Sequence, residues 1–138
     1  MSLTEKEKEV VVEHRLERAY ETLVEAKDLI ALSHWHGAIN RLYYACYYAV
    51  TALLIYHGYI SHTHSGARGL LGRFFVKTNI IGKEQNKLYQ KLFDFRQSGD
   101  YNDWITITEL DVKPLLEPSE KFIYEIENLI KQERQKQQ

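Results

Sequence analysis

The sequence predicts an all-α protein, an antiparallel up-and-down bundle of four to five helices. Apolar residues recur at intervals of three and four along most of the chain, and the strict alternation of a half-buried strand is absent. One apolar segment, Ala38–His57, contains neither glycine nor proline and is long enough for a helix of roughly 30 Å. Such helices bury their apolar stripes against one another, and 138 residues suit a single domain spanning 1–138.

The N-terminal segment predicts a long helix that ends near Leu32. Thr4 and Glu7 have the spacing of a capping box, in which each side chain hydrogen-bonds the backbone amide of the other residue. One stripe of this helix is apolar, and the opposite face carries glutamates with lysines and arginines, as a solvent-exposed face does. A short connector, 33–37, follows, with Ser33 as the candidate cap of the next helix.

Ala38–His57 is the segment against which the other helices are expected to pack. Small residues that allow close approach of neighbouring backbones separate four tyrosines, Tyr43, Tyr44, Tyr47 and Tyr48. A helix that is apolar on nearly all sides is either central or shared with a second subunit. We therefore expect a homodimer with Tyr43, Tyr47 and Tyr48 at its interface.

Two more helices are predicted between Gly58, which ends the central helix, and Gly99. The first spans about 64–78, and Thr63 precedes it as a candidate cap. The second spans 83–98 and ends at Gly99, a residue type that favours the position after a helix.

Two prolines are expected to interrupt the last helical pattern. An interior proline removes a hydrogen bond and clashes with the preceding turn, at a cost of about 3 kcal/mol. Because Pro114 and Pro118 both lie within the pattern, we expect a turn or short helix over 109–116 and a helix from Pro118 to about Gln132. Residues 133–138 are expected to fray.

The charge and cysteine content limit the possible partners and compartments. The chain carries 18 Lys and Arg against 19 Asp and Glu, so the molecule as a whole is not built to bind polyanions. The segment 66–91 is nonetheless basic, with six basic residues against one acid; it is either a solvated face or a basic rim for phosphates. A lone cysteine, Cys46, excludes an internal disulfide. Together with the lack of a signal peptide or a membrane-spanning apolar run, this predicts a cytoplasmic protein without membrane association.

The histidines and glycines do not form a recognisable catalytic or cofactor motif. Five of the six histidines fall between 34 and 64, but none has the spacing of metal ligands, so we expect no native metal. The chain has neither a nucleophile elbow nor a glycine-rich phosphate loop, and we expect no cofactor.

A polar group at the end of the fourth predicted helix is the candidate site. Arg96 and Asp100 stand four residues apart and share one side of a helix, and arginine is suited to bidentate recognition of carboxylate or phosphate. Arg41 lies on one stripe of the central helix. We expect Arg41, Arg96, Asp100 and Tyr101 to meet in one polar pocket. The alternative is structural: an ion pair from Asp100 to Arg41 or to Arg96 that locks two helices together.

Three segments of the chain resemble the HEPN domain, in particular its small stand-alone prokaryotic branch. They are 38–54, 63–78 and 96–101, and with the first and last helices the resemblance covers nearly the whole sequence. It implies a four- to five-helix bundle that forms homodimers and frequently pairs with a minimal nucleotidyltransferase in toxin–antitoxin or stress modules. It also implies, for many members, metal-independent ribonuclease activity at the dimer cleft.

The ribonuclease motif of the family is only partly matched here. It consists of an arginine, a polar residue and, a few positions later, a histidine; Arg96 and Gln97 match the first two, and Tyr101 stands where the histidine could be. A phenol with a pKa of about 10 is a poor acid–base group near neutral pH. Related toxins are modified on a tyrosine near the motif, but the position of Tyr101 differs. Efficient RNA cleavage is therefore not expected.

The resulting prediction is a dimeric protein that binds nucleotide or RNA phosphate, or a partner nucleotidyltransferase. The candidate phosphate-binding residues are Arg96, Arg41, Gln97 and Tyr44. The first alternative is a metal-independent endoribonuclease with an atypical site of Arg96, Asp100 and Tyr101. The second alternative is a purely structural dimer.

Overall fold

The computed structural model describes residues 3–101 and 105–137, and the side chains of 99–101 lie outside that description. Five α-helices and one π-helical turn account for most of the described residues, and these contain no strand. The helices are α1 (Glu5–Ala31), α2 (Trp35–Tyr56), α3 (His64–Leu71), α4 (Lys83–Tyr101) and α5 (Glu109–Lys136), with the π-helical turn (Gly72–Val76) following α3. The predicted all-α bundle is confirmed.

Helix α2 lies at the centre of the bundle and packs against each of the other four helices. Thirteen of its 22 residues are buried, which confirms the prediction of a central helix. Ala45, Cys46, Ala49 and Ala52 are fully buried, and side chains of this size let α1 and α5 approach the α2 backbone closely. Most of the core therefore forms around the segment that contains the tyrosines.

The caps of the first three helices follow from short polar side chains, with one exception. Glu7 donates its amide to the Thr4 hydroxyl and accepts from the Thr4 amide, both at 3.1 Å, as the capping-box spacing predicts. The Thr63 hydroxyl likewise caps α3. Ser33 was wrongly expected to cap α2: it has a φ of +61° in the turn, and His34 precedes the helix without a side-chain cap. Helix α2 begins at Trp35, within the segment that was predicted as a connector.

Gly99 does not end α4, which continues to Tyr101. A glycine favours the position after a helix because it adopts a left-handed conformation easily, but its cost inside a helix is only about 1 kcal/mol. A preference of this size is too weak to fix the end of a helix by itself. The predicted boundary was therefore too early.

The two prolines do not divide α5, which contradicts the predicted break over 109–118. Pro114 and Pro118 are exposed and stand four residues apart, so both rings lie on the same outer face of one continuous helix. The opposite stripe is buried on both sides of the prolines, for example at Val112 and Phe122. Each large buried side chain stabilises the fold by roughly 1.5–3 kcal/mol, enough to offset the proline cost.

Helix α5 also extends past its predicted end at Gln132 to Lys136. Arg134 forms ion pairs with Glu9 at 2.7 Å and Glu13 at 2.8 Å, which attach the last turns of α5 to α1. This inter-helix bridge explains the extra helical turn, and the fraying of 133–138 stays a prediction.

Candidate functional site

Arg96 of α4 lies half-buried against the aromatic face of α2. Its Nη2 donates to the Tyr44 hydroxyl at 3.3 Å, and its guanidinium lies 5.7 Å from the ring centroids of both Tyr43 and Tyr44. A guanidinium in such a position is attracted by the negative faces of the rings. The structure thus places a cation on two of the four tyrosines of the central helix.

Arg41 of α2 also lies over the Tyr44 ring, and it pairs with Glu25 of α1. Its guanidinium lies 5.0 Å from the Tyr44 centroid, donates to the Asn40 side-chain oxygen at 2.8 and 3.2 Å and lies 3.6 Å from a Glu25 oxygen. Three of the four predicted phosphate-binding residues, Arg41, Tyr44 and Arg96, are therefore neighbours. The fourth, Gln97, is exposed on the surface of α4.

The predicted catalytic groups Asp100 and Tyr101 cannot be placed in this arrangement. The α4 backbone runs through both residues, but their side chains lie outside the described residues. Their membership of a common pocket with Arg96 stays a prediction. The described ion pair of Arg41 is with Glu25 of α1.

The three tyrosines predicted at a dimer interface differ in exposure. Tyr43 is fully buried within the chain, between Tyr44, Tyr89 and the edge of Phe93, and presents no surface to a partner. Tyr47 and Tyr48 are half-buried and keep part of their rings accessible. A dimer contact through this helix therefore rests on the latter two residues.

Two further arginines, both from α1, lie over Tyr48. The guanidinium of Arg15 is 5.8 Å and that of Arg18 is 5.2 Å from the Tyr48 centroid. A surface cavity of about 520 Å³ adjoins these three residues. Because the Tyr44 and Tyr48 centroids are 6.2 Å apart, the arginines of α1, α2 and α4 form one continuous surface. We call it the arginine–tyrosine surface: Arg15, Arg18, Arg41, Arg96, Tyr44 and Tyr48.

A histidine from α3 completes the site, and it was not among the residues singled out from the sequence. His64 stacks on Tyr47 with centroids 4.3 Å apart, and its Nδ1 shares a hydrogen bond with the Tyr43 hydroxyl at 2.7 Å. Its ring also meets Tyr44 edge-on at 5.6 Å. We call Tyr43, Tyr44, Tyr47 and His64 the tyrosine–histidine cluster. The sequence signal was Thr63, whose capping role fixes His64 at the first position of α3.

Burial and the Arg96 charge determine the protonation of this cluster. Burial lowers the pKa of His64, and the positive charge of Arg96 lowers it further, so the imidazole is neutral at pH 7. Burial also raises the pKa of Tyr43 to about 12, which keeps this phenol protonated. Burial raises the pKa of Tyr47, and the positive charge of Arg15 offsets part of that rise. The site therefore combines fixed cations with a neutral imidazole.

Two other features of the sequence take structural roles. Arg68, in the basic segment, lies 4.2 Å above the Phe93 ring and donates to Gln90 at 3.0 Å, so part of this segment borders the aromatic core of α4. Cys46 is buried, and burial raises the pKa of its thiol to about 12. Such a thiol is not a nucleophile near neutral pH.

The described residues show neither a metal site nor a membrane span. Among the described side chains, no three histidine, cysteine or acidic groups converge as metal ligands. In the same part of the chain, every helix is too short or too polar to cross a bilayer.

The family model of the HEPN domain matches residues 12–129, which include the arginine–tyrosine surface and the tyrosine–histidine cluster. The chain belongs to the HEPN family. This confirms the resemblance inferred from the three sequence segments. The match covers all five helices at least in part, so the bundle described above is this protein's version of the HEPN fold.

Related proteins and a solved structure agree with this assignment. A UPF0332 protein of Thermotoga maritima is 40% identical over 124 residues, covering 90% of this chain and 94% of the relative. A protein of Methanocaldococcus jannaschii that carries the name of a candidate toxin is 28% identical over 112 residues, covering 81% and 76% of the two chains. The crystal structure of TT1696 from Thermus thermophilus has the same fold, with a TM-score of 0.73 at 18% identity over 85% of this chain and 96% of that one.

The ribonuclease motif is incomplete in the sequence, yet the structure places an imidazole near Arg96. The expectation of poor acid–base chemistry was based on the missing histidine after Arg96 in the sequence. His64 reaches the same aromatic cluster from a different helix, 32 positions earlier in the chain. Sequence spacing along α4 could not have shown this proximity.

Proposed function

We propose that this HEPN protein binds RNA at the arginine–tyrosine surface and acts in a toxin–antitoxin or stress-type module. The observation that supports the proposal is that guanidinium groups from three helices lie over half-buried tyrosine rings on one continuous surface. Single-stranded nucleic acid is bound by this combination: cations contact phosphates, and bases stack on aromatic rings. Arginine adds a fork of donors that fits a phosphate group.

The charges of this surface indicate where the phosphates bind. Arg18 pairs with Glu21 at 3.0 Å and Arg41 pairs with Glu25 at 3.6 Å, so glutamates of α1 adjoin both of these cations. Arg96 donates to the Tyr44 hydroxyl and lies against the rings of Tyr43 and Tyr44, which places its guanidinium where a phosphate and a stacked base could be bound together. We assign the central phosphate to Arg96, with Arg41 and the exposed amide of Gln97 as supporting donors.

The biological setting and the assembly state belong to the same proposal. A relative that carries the name of a candidate toxin favours a toxin–antitoxin module, and the family resemblance favours a homodimer and a small nucleotidyltransferase as partner. Tyr47, which lies outside the arginine–tyrosine surface and stays half-buried in the single chain, is the residue we assign to the dimer contact. Light scattering tests the dimer, and mass spectrometry of proteins that co-purify from the native host tests the transferase.

The binding test compares Arg96 with a matched arginine outside the site. Fluorescence anisotropy with a short single-stranded RNA that carries 2′-O-methyl groups measures binding without cleavage. Loss of a charge-assisted contact of about 1.5–3 kcal/mol predicts that Arg96→Ala weakens binding roughly 10–150-fold. Arg73→Ala is the control, because Arg73 is exposed and lies over Phe74 in a separate aromatic pair with Tyr59.

Three results would separate the proposal from its alternatives. Arg96→Lys should restore part of the affinity, because lysine keeps the charge but loses the fork. Equal losses in Arg96→Ala and Arg73→Ala would indicate non-specific attraction and contradict a site at Arg96. No binding by the wild-type protein would contradict the proposal and favour the purely structural dimer.

A further inference from the structure

A surface cavity on α1 lies at one end of the arginine–tyrosine surface. It has a volume of about 520 Å³, and its lining residues are Val10, Val11, His14, Arg15, Arg18 and Tyr48. Val10 is 64% exposed, so apolar surface stays accessible to a ligand beside two guanidinium groups. Pockets of this size bind small molecules in other proteins. Apolar surface next to fixed cations suits a ligand that joins a flat, weakly polar part to an anionic part, as a nucleotide unit does.

The two arginines of the cavity differ in their carboxylate partners. Both lie over the Tyr48 ring, at 5.8 Å for Arg15 and 5.2 Å for Arg18. Arg18 forms an ion pair with Glu21 at 3.0 Å, whereas no carboxylate of the described residues forms an ion pair with Arg15. A phosphate at Arg18 would have to compete with Glu21, and a phosphate at Arg15 would not. Of the two, Arg15 therefore has the charge that a phosphate can use.

Adjacent tyrosine rings connect Arg15 to Arg96. The Arg96 guanidinium lies 5.7 Å from the Tyr44 centroid, and the Tyr44 and Tyr48 centroids are 6.2 Å apart. Arg15 lies over the second of these rings. A strand with one phosphate at Arg96 can thus follow the two rings to the cavity and place another phosphate at Arg15. An oligonucleotide has a phosphate for each of these cations, whereas a nucleoside monophosphate has only one.

Acidic side chains limit how far such a strand can continue along α1. A neighbouring depression shares Val10 and His14 with the cavity and is otherwise lined by Glu9, Glu13 and Glu17. These carboxylates repel a phosphodiester backbone. The phosphate path therefore ends at Arg15, and the apolar part of the cavity is left for a base.

We propose that the α1 cavity is a second RNA subsite, in which Arg15 binds a phosphate and an unpaired base packs against Val10 and Val11. The ligand class of this surface is then a single-stranded oligonucleotide rather than a mononucleotide. The inference rests on the proposed RNA binding at Arg96 and extends that site onto α1. Bases in a duplex are paired and stacked, so only a single strand can place a base in the cavity. The exposed imidazole of His14 adds a ring on which that base can stack.

A length series of 2′-O-methyl oligouridylates, from dinucleotide to decanucleotide, tests the inference with the full-length protein. Wild-type affinity, measured by anisotropy or by NMR titration for the short strands, should rise with length and then stay constant once the cavity is filled. Arg15→Ala should weaken binding of the decanucleotide roughly 10–150-fold and reduce its salt slope by about 0.7. The dinucleotide has a single phosphodiester, which occupies Arg96, and should bind nearly as before. Arg18→Ala is the matched comparison: it removes a guanidinium from the same ring, but one paired with Glu21, so its loss should be smaller.

The base in the cavity is tested from both sides of the contact. Val10→Ser replaces an exposed valine, so the fold should be retained while the decanucleotide binds more weakly. An abasic unit at one end of the decanucleotide should weaken wild-type binding, and the same unit at the other end should not, because the cavity lies at one end of the surface. With the sensitive end abasic, Val10→Ser and wild type should bind alike.

The possible contrary results separate this inference from the proposed function. Affinity that does not depend on length, or equal losses in Arg15→Ala and Arg18→Ala, would overturn the α1 subsite and leave RNA binding at Arg96 intact. A smaller mass for Val10→Ser in light scattering, with unchanged RNA binding, would show that a second copy covers the cavity and would also overturn the subsite. Absence of RNA binding by the wild-type protein would overturn the proposed function and this inference with it.

Discussion

Two glycines of α3 should respond in opposite directions to the same substitution. A Cβ at Gly69 meets no atom within 4 Å, whereas a Cβ at Gly66 would lie 2.4 Å from the Ser61 hydroxyl and 2.6 Å from the Thr63 hydroxyl. Both hydroxyls are engaged: Ser61 donates to the Thr63 carbonyl at 2.9 Å, and Thr63 caps the helix at the Gly66 amide. The Gly66 position thus tests the contact that holds His64 in place.

The magnitudes follow from the helix and its cap. Alanine in place of an exposed helical glycine stabilises the fold by roughly 0.5–1 kcal/mol, so Gly69→Ala should raise the free energy of unfolding by that amount. Gly66→Ala gains the same term at most, but it displaces a cap worth about 1 kcal/mol and a hydrogen bond worth about 1 kcal/mol. The net loss is about 1 kcal/mol. The two variants should differ by about 2 kcal/mol, or roughly 6–10 °C in Tm.

Urea and thermal unfolding followed by circular dichroism at the helix band measure both variants. The slope of the free energy against urea should stay constant, because neither change alters the surface exposed on unfolding. A Gly66→Ala protein as stable as Gly69→Ala would refute the role assigned to Thr63 and Ser61. The NMR chemical shifts of His64 provide the local readout and should move in Gly66→Ala only.

The remaining predictions concern the core, the histidines and the dimer. Thr22 is fully buried, and the described residues supply no partner for its hydroxyl, so the isosteric Thr22→Val should stabilise the fold by about 1 kcal/mol in urea unfolding; a loss would indicate that the hydroxyl is bonded. Burial lowers the pKa of both His57 and His64, so the folded state binds protons less readily than the unfolded chain. Tm should therefore be highest above the unfolded histidine pKa and fall as pH drops through the lower folded values; a Tm that stays constant on acidification would contradict this. Tyr47→Glu should weaken the proposed dimer or the fold, because it buries an unpaired charge at a contact; a concentration-independent species of 16.3 kDa for the wild-type protein in light scattering would exclude the dimer.

The helices were predictable because their signals are local. Apolar spacing located α1, α2 and α4, and the capping box of Thr4 and Glu7 gave the first helix boundary to the residue. The errors fall where tertiary packing outweighs a local rule. Pro114 and Pro118 satisfy every local criterion for a break, yet the buried stripe of α5 keeps the helix continuous. Gly99 is a similar case at lower energy, since its intrinsic preference to end a helix is only about 1 kcal/mol.

The site was predictable only in part, because its residues meet across helices. The sequence identified Arg96, Arg41 and Tyr44 from their types and from the resemblance, and the structure brings these three together. It did not identify His64, because the contact of α3 with α2 depends on the path of the loop between them. It did not identify Arg15 either, since a basic residue on the polar face of α1 looks the same whether it faces solvent or Tyr48.

The position of the cluster on α2 connects its chemistry to the stability of the core. Tyr43 holds the His64 imidazole through its hydroxyl, while its ring packs on Tyr89, which in turn stacks on Phe122 of α5 at 5.7 Å. The imidazole is therefore oriented by a side chain that the core holds in place, so its orientation is set before any ligand binds. Arg96, by contrast, rests on the rim of the same rings and stays half-exposed. The proposed RNA affinity at Arg96 should consequently tolerate surface changes, whereas the orientation of His64 should be sensitive to core substitutions as distant as Phe122.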